Sequence, residues 1–183
     1  MHERARLLAY LPQERTIAWD LKAIEIVALG CVGLSADVVR QHARAQLEVM
    51  GLSNEAETRV FSLSGGQRAR VLLARLLASD AKTACLDEPL TALDPAWQRR
   101  ALAVLKSRAA QGGTIVVSLH DITLAAQFAD DLWVMDQGRL VAQGKPEAAL
   151  SDKVLRQVFN ITGTFTEDRY LQLDPQALTE DGA

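Results

Sequence analysis

Apolar residues follow two rhythms along this chain. Short apolar runs stop abruptly at polar, chemistry-bearing residues: Thr83-Ala84-Cys85-Leu86 ends at Asp87-Glu88-Pro89, and Thr114-Ile115-Val116-Val117-Ser118-Leu119 ends at His120-Asp121. Runs of that length read as buried strands. Longer segments repeat at helical spacing. Leu21 to Leu34 and Ala36 to Met50 predict two helices, the second carrying Val38, Val39, His42, Ala45, Gln46 and Val49 along one side and ending at Gly51. Arg68 to Ala78 is rich in strong helix formers, with Val71, Leu72, Arg75 and Leu76 in register, and Ile122 to Ala129 and Lys153 to Asn160 predict further helices. Leu132-Trp133-Val134-Met135 and Leu140-Val141-Ala142 flank Asp136-Gln137-Gly138-Arg139 and read as a hairpin. Residues 1 to 13 read as the tail of a strand. Because helix and strand alternate from 63 to 142, the expected class is α/β with a mostly parallel sheet.

Composition narrows the function classes. The 183 residues suit one domain, and a net charge of −3 argues against a nucleic-acid surface. No apolar run approaches the ~18 residues needed to span a bilayer, and Pro12 and Gln13 interrupt the opening segment too early for a signal peptide. The two cysteines, Cys31 in a helical region and Cys85 in a strand, share no metal-ligand spacing and read as reduced packing residues. His2, His42, Trp19, Trp97 and Trp133 read as packing or surface residues.

Candidate chemistry begins at Leu63-Ser64-Gly65-Gly66-Gln67. Ser64 and Gln67 form a capping-box pattern, with the hydroxyl accepting from the Gln67 amide and the Gln67 side chain reaching back to the Ser64 amide. A cap alone leaves the glycines unexplained. Each costs about 1 kcal/mol against alanine in a helix, which makes sense where an anion must reach the amides and the positive dipole end. The acids Asp87 and Glu88 end their strand at the carboxyl edge of the sheet, where open α/β folds bind ligands. Successive strand residues face opposite ways, so one acid can hold a magnesium ion through water while the other deprotonates an attacking water. His120 sits at a second strand end, where an imidazole could touch a terminal phosphate, and Asp121 is placed to cap the helix that follows.

In these motifs the chain resembles the ATP-binding cassette (ABC) ATPases. Leu63 to Gln67 resembles their signature motif, Thr83 to Glu88 their Walker B strand, Thr91-Ala92-Leu93-Asp94 their D-loop, His120 their switch histidine, and Tyr10-Leu11-Pro12-Gln13 their Q-loop. All five stand in family order, and the resemblance covers roughly residues 5 to 165. It implies the cofactors ATP and Mg²⁺. It also implies that Asp87 binds magnesium, Glu88 acts as general base, Gln13 senses metal and attacking water, and His120 contacts the γ-phosphate. Ser64, Gly65, Gly66 and Gln67 would bind nucleotide held by the opposite subunit of a head-to-tail dimer, with Ala92, Leu93 and Asp94 at the dimer contact.

The implied fold is a P-loop-NTPase-like ABC fold with an inserted helical subdomain. No glycine of the chain belongs to a G-x-x-x-x-G-K-[ST] loop, and Gly144-Lys145 is followed by Pro146. The expectation is therefore an incomplete ABC domain over 1–173, lacking the amino-terminal β elements and the strand and helix around the phosphate loop. Within it, 14–62 would be the helical subdomain and linker, 63–150 the lobe with signature, Walker B, D-loop and H-loop, and 151–173 a carboxy-terminal helix and extension; 174–183 would be a flexible tail. Loss of a central strand would expose the edges of the strands ending at Asp87 and His120 and lower solubility.

Finer resemblance, in Leu11 to Gly30, Leu119 to Ala126 and Asp136 to Arg139, is to importers of iron-siderophore, haem or cobalamin; Cys31-Val32-Gly33-Leu34 departs from that pattern. The implied partners are transmembrane permease subunits, a second ATP-binding subunit in a homodimer or mixed dimer and, indirectly, a periplasmic or extracellular binding protein. The implied place is the cytoplasm, peripheral on the inner face of the cell membrane. Two functions remain open: an ATP-hydrolysing energy-coupling subunit, or a non-catalytic remnant or degenerate partner that supplies only the signature face.

Overall fold

The computed structural model describes residues 6–167 and 170–174. The chain divides into two compact units, 1–119 and 120–183.

The first unit holds a parallel sheet of β1 (Leu8–Leu11), β2 (Thr83–Leu86) and β3 (Thr114–Val117), in the order β1-β2-β3. Leu11 pairs with Leu86 and Leu86 with Val117, so all three strands end at one edge. Ladder hydrogen bonds continue past it, from Asp87 N–H to Leu11 O at 2.8 Å and from Ser118 N–H to Leu86 O at 3.0 Å. β2, with Ala84 and Leu86 buried, is the central strand. The strand ending at Asp87 therefore presents no open edge, contrary to expectation, because both neighbours pair with it. The outer strands carry the exposed apolar residues, Leu8 and Tyr10 on β1 and Val116 on β3.

Beside the sheet, the described residues of this unit form the α-helices α1 (Ala23–Ala28), α2 (Ala36–Val49), α3 (Gly65–Leu77) and α4 (Pro95–Ala110), and a single 3-10 turn at Val60–Ser62. α1 is much shorter than the Leu21–Leu34 pattern predicts. Lys22 forms an isolated antiparallel bridge with Arg59, which delays the helix. Gly30 then packs so closely on the Arg75 carbonyl that a Cβ would lie 2.1 Å from it, and Cys31 falls outside the helix. α2 spans nearly the expected range, but its inner face is turned. Ala43 and Leu47 are buried with Val39, His42 and Gln46 partly covered, whereas Val38, Ala45 and Val49 are exposed. The face is set by contact with α1 and α3. α3 buries Ala69, Val71, Leu72, Leu73, Ala74, Leu76 and Leu77, and burial pushes the Arg75 guanidinium below its ordinary pKa. Both cysteines are free thiols, as expected.

The second unit contains α5 (Ile122–Phe128), the hairpin β4 (Leu132–Asp136) and β5 (Arg139–Gly144), α6 (Pro146–Ala149), α7 (Asp152–Phe159) and an antiparallel pair, β6 (Gly163–Phe165) and β7 (Leu171–Leu173). Its core gathers Ala126, Val134, Ala149, Leu150, Leu155 and Leu171. The hairpin closes through Gln137 and Gly138, both at positive φ, the two-residue geometry that matches strand twist. Asn160 ends α7 in the left-handed conformation. Past Asp174, the expected tail lies outside the described residues.

Candidate functional site

The signature turn forms as its spacing dictates. Ser64 caps α3, its hydroxyl accepting from Gln67 N–H at 3.2 Å, while Gln67 Oε1 accepts from Ser64 N–H at 2.9 Å. Gln67 Nε2 also donates to Glu55 at 3.3 Å, tying the turn to the loop before it. The two glycines differ. A Cβ on Gly65 would meet nothing within 4 Å, whereas one on Gly66 would sit 3.1 Å from the Ala92 carbonyl. Close packing thus explains Gly66, and only Gly65 faces open space. A cleft of about 310 Å³ adjoins this turn, lined by Arg15, Phe61, Gly65, Arg68, Leu72 and Ala92 among others.

Ala92, the first of the three residues expected at the dimer contact, lies against the same helix end, its carbonyl facing Gly66. Leu93 is buried, and Asp94 caps α4 by accepting from Trp97 N–H at 3.0 Å, with Pro95 at the first helical position. Gln98 Nε2 donates to the Leu93 carbonyl at 3.1 Å. The loop is therefore fixed by the helix it precedes.

Asp87 and Glu88 follow β2 directly, at the edge where all three strands stop. Ser118, one residue past β3, donates to Asp87 Oδ1 at 2.7 Å, and its hydroxyl accepts from Glu88 N–H at 2.8 Å. Glu88 has φ +45°, a left-handed conformation that costs a residue with a Cβ roughly 1–2 kcal/mol. Its carbonyl accepts from the Arg15 guanidinium and, at 3.3 Å, from Thr91 Oγ1. Arg15 is half-buried; burial lowers its pKa and the charge of Glu88 opposes that shift. Arg15 Nε is buried and has no hydrogen-bond partner among the described residues.

Gln13 lies two residues beyond β1, so it follows the same sheet edge as the two acids, and it is exposed. His120 stands three residues beyond β3 at the start of the second unit, immediately before Asp121. Asp121 Oδ1 accepts from Thr123 and Leu124 N–H at 2.9 and 3.0 Å and caps α5 as expected. Sequence reasoning overlooked Ser118 and Arg15. A hydroxyl at the end of a strand run, two residues before His120, was the one signal for Ser118.

Among the described residues there is no cluster of three or more His, Cys, Asp or Glu that could hold a metal. Magnesium does not require one, since it binds through one or two carboxylates and takes its other ligands from water and phosphate. Asp87 fits that habit, because Oδ1 is held by Ser118 and Oδ2 has no protein partner among the described residues. Open space at Gly65 likewise fits an anion at the α3 amides.

A parallel α/β sheet with acids at its carboxyl edge, helices packed beside it and a glycine-capped helix defines the class of ATP-binding cassettes with a P-loop-NTPase-like fold. The chain belongs to the ABC transporter family: residues 1–91 match the model of that description. It is 38% identical over 181 residues to the hemin import ATP-binding protein HmuV of Shewanella denitrificans, covering 93% of this chain and 71% of that protein. It is 38% identical over 162 residues to the protein of the same name in Rhodococcus jostii, covering 86% of this chain and 55% of that protein. The chain thus spans little more than half the length of several curated relatives. Among solved structures, a dimeric bacterial ABC transporter cassette superposes with a TM-score of 0.71 at 28% identity, over 79% of this chain and 65% of that one. An inward-facing metal-chelate type ABC transporter superposes with a TM-score of 0.76, over 94% of this chain and 74% of that one; at 24% identity this likeness concerns the fold alone. Among the described residues, no helix is long and apolar enough to cross a membrane.

Proposed function

We propose that this chain is the ATP-binding, energy-coupling part of an ABC importer that carries haem or a chemically related iron-siderophore or cobalamin. The observation that carries the reading is the sheet edge, where Asp87 and Glu88 stand together with Ser118 bound to both. The names of the hemin import relatives support the substrate class. Bound MgATP would supply the electrophilic phosphorus and the metal charge. Asp87 would hold the metal through Oδ2, Glu88 would accept the proton of the attacking water, and Gln13 and His120 would line the terminal phosphate. Ser64, Gly65, Gly66 and Gln67 would present the α3 amides to nucleotide on a second ATP-binding subunit, with Ala92, Leu93 and Asp94 at that contact. The protein would sit on the inner face of the membrane through permease subunits.

A second reading is favoured by one feature of these residues. The signature turn is complete on its own, with both halves of its capping box formed. Under this reading the chain serves a nucleotide held by its partner and performs no hydrolysis itself. Single substitutions in the assembled dimer separate the two. In the first, Glu88→Gln keeps MgATP binding and nearly abolishes turnover, and Asp87→Asn weakens Mg²⁺-dependent binding. In the second, both changes are silent and Ser64→Arg alone blocks turnover. Equal loss of nucleotide binding in both acid variants would refute the assigned division of labour.

A further inference from the structure

Ser118 belongs to none of the motifs that the sequence brings forward, yet it touches both acids at the sheet edge. Its hydroxyl has one proton and two lone pairs. The proton goes to Asp87 Oδ1 at 2.7 Å, and a lone pair receives the Glu88 N–H at 2.8 Å. The first contact selects which oxygen of Asp87 remains open, namely Oδ2. The second fixes the peptide between the acids while Glu88 is at φ +45°. On the other side of Glu88, Arg15 and Thr91 donate to its carbonyl, so both polar groups of its backbone are held.

Resting on the function proposed above, we propose that Ser118 is a positioning residue that orients Asp87 for the metal and holds the Glu88 backbone in its left-handed conformation. It reaches both acids from a different strand, because its own N–H stays in the ladder to Leu86 O at 3.0 Å. That anchor fixes the hydroxyl relative to β2. One residue thus couples the geometry of the metal ligand to that of the base. Alanine and valine can make neither contact. Threonine keeps the hydroxyl and suits an extended backbone.

The test pairs Ser118→Ala with Ser118→Thr and reads two quantities. The first is hydrogen exchange at the Glu88 amide in the 183-residue chain. Ser118→Ala should speed it roughly tenfold, as loss of one hydrogen bond does, and Ser118→Thr should restore protection. The amides of Asp87 and Ser118, which bond to Leu11 O and Leu86 O, are internal controls and should change little. Equal acceleration of all three would mean that the edge has frayed, and would overturn the proposal. The second quantity is MgATP hydrolysis by the assembled protein. Ser118→Ala should lower kcat roughly tenfold and raise KM for MgATP more modestly, because both the base and the metal ligand lose their anchor, and Ser118→Thr should recover both. Identical behaviour of the two variants, or a raised KM with kcat intact, would also overturn it. If the unsubstituted protein turns over no ATP, the proposed function fails, while amide exchange still decides whether Ser118 holds Glu88.

Discussion

Replacing Gly65 by alanine tests the difference between the two signature glycines. Gly65 is the first residue of α3, directly after its cap Ser64, and a Cβ there would meet nothing within 4 Å. Glycine costs a helix roughly 0.5–1 kcal/mol relative to alanine, so Gly65→Ala should stabilise the fold by about that amount. For a chain of this size, each kcal/mol is worth about 2–4 °C in Tm, which gives an expected rise of about 1–4 °C. Gly66→Ala should gain less, because its Cβ would press on the Ala92 carbonyl at 3.1 Å. Function should move the opposite way. The added methyl occupies the space through which an anion reaches the α3 amides, and loss of such a donor set costs on the order of a hundredfold in rate. Calorimetric unfolding gives the first quantity, and MgATP hydrolysis by the assembled dimer gives the second. A lower Tm for Gly65→Ala would refute the claim that Gly65 borders open space. Undiminished turnover in a more stable variant would refute the anion role of the turn.

Two further expectations concern the helices beside the sheet. Gly51 has φ +64°, and a Cβ there would lie 2.4 Å from a ring carbon of Trp97. That ring also stacks under Arg70 and Arg100 at 4.0 and 4.7 Å. Gly51→Ala should therefore cost about 2–4 kcal/mol from backbone strain and overpacking together, measured as a lower urea midpoint. Glu57 gathers Lys22, Arg40 and Arg44 at 2.8, 2.6 and 3.2 Å. The Lys22 hydrogen bond, reinforced by the charges of all three cations, holds its pKa below the ordinary 4.5. A depressed carboxylate pKa adds stability above the ordinary value, and that stability is lost as pH falls below 4.5 and through the folded value. Glu57→Gln should flatten the fall in Tm across that range, and high salt should do the same; an unchanged pH slope in the variant would contradict the network's role.

The features legible in the chain are those settled within a few residues. The Ser64-Gln67 capping box, the Asp121 helix cap and the Gln137-Gly138 turn all satisfy backbone donors or set φ locally; the α4 helix and its Asp94 cap were not among the elements read from the sequence. β3 stops at Val117, three residues short of the His120 end that its apolar run predicts, whereas the strand end at Asp87 was legible because an apolar run gives way to charge. Helix extents and faces were less so. α1 is cut short by Gly30 pressing on the Arg75 carbonyl, a contact between residues far apart in sequence. The inner face of α2 depends on where α1 and α3 lie beside it, which turns Val38 and Val49 outward although their spacing suits a buried stripe.

By itself, the sequence determined the family, the order of its motifs and the residue types at the sheet edge, since each is written in short spacings that any fold must respect. Only the tertiary structure decided what those residues touch. It placed β2 between β1 and β3 and assigned Gly66 to packing and Gly65 to open space. It also brought Ser118 to Asp87 and Glu88 across a separation of 31 and 30 residues. The physical reason is that a hydroxyl on one strand and a carboxylate on another share no local pattern. Their meeting depends on the register of two ladders, fixed by the burial of side chains along the whole of each strand.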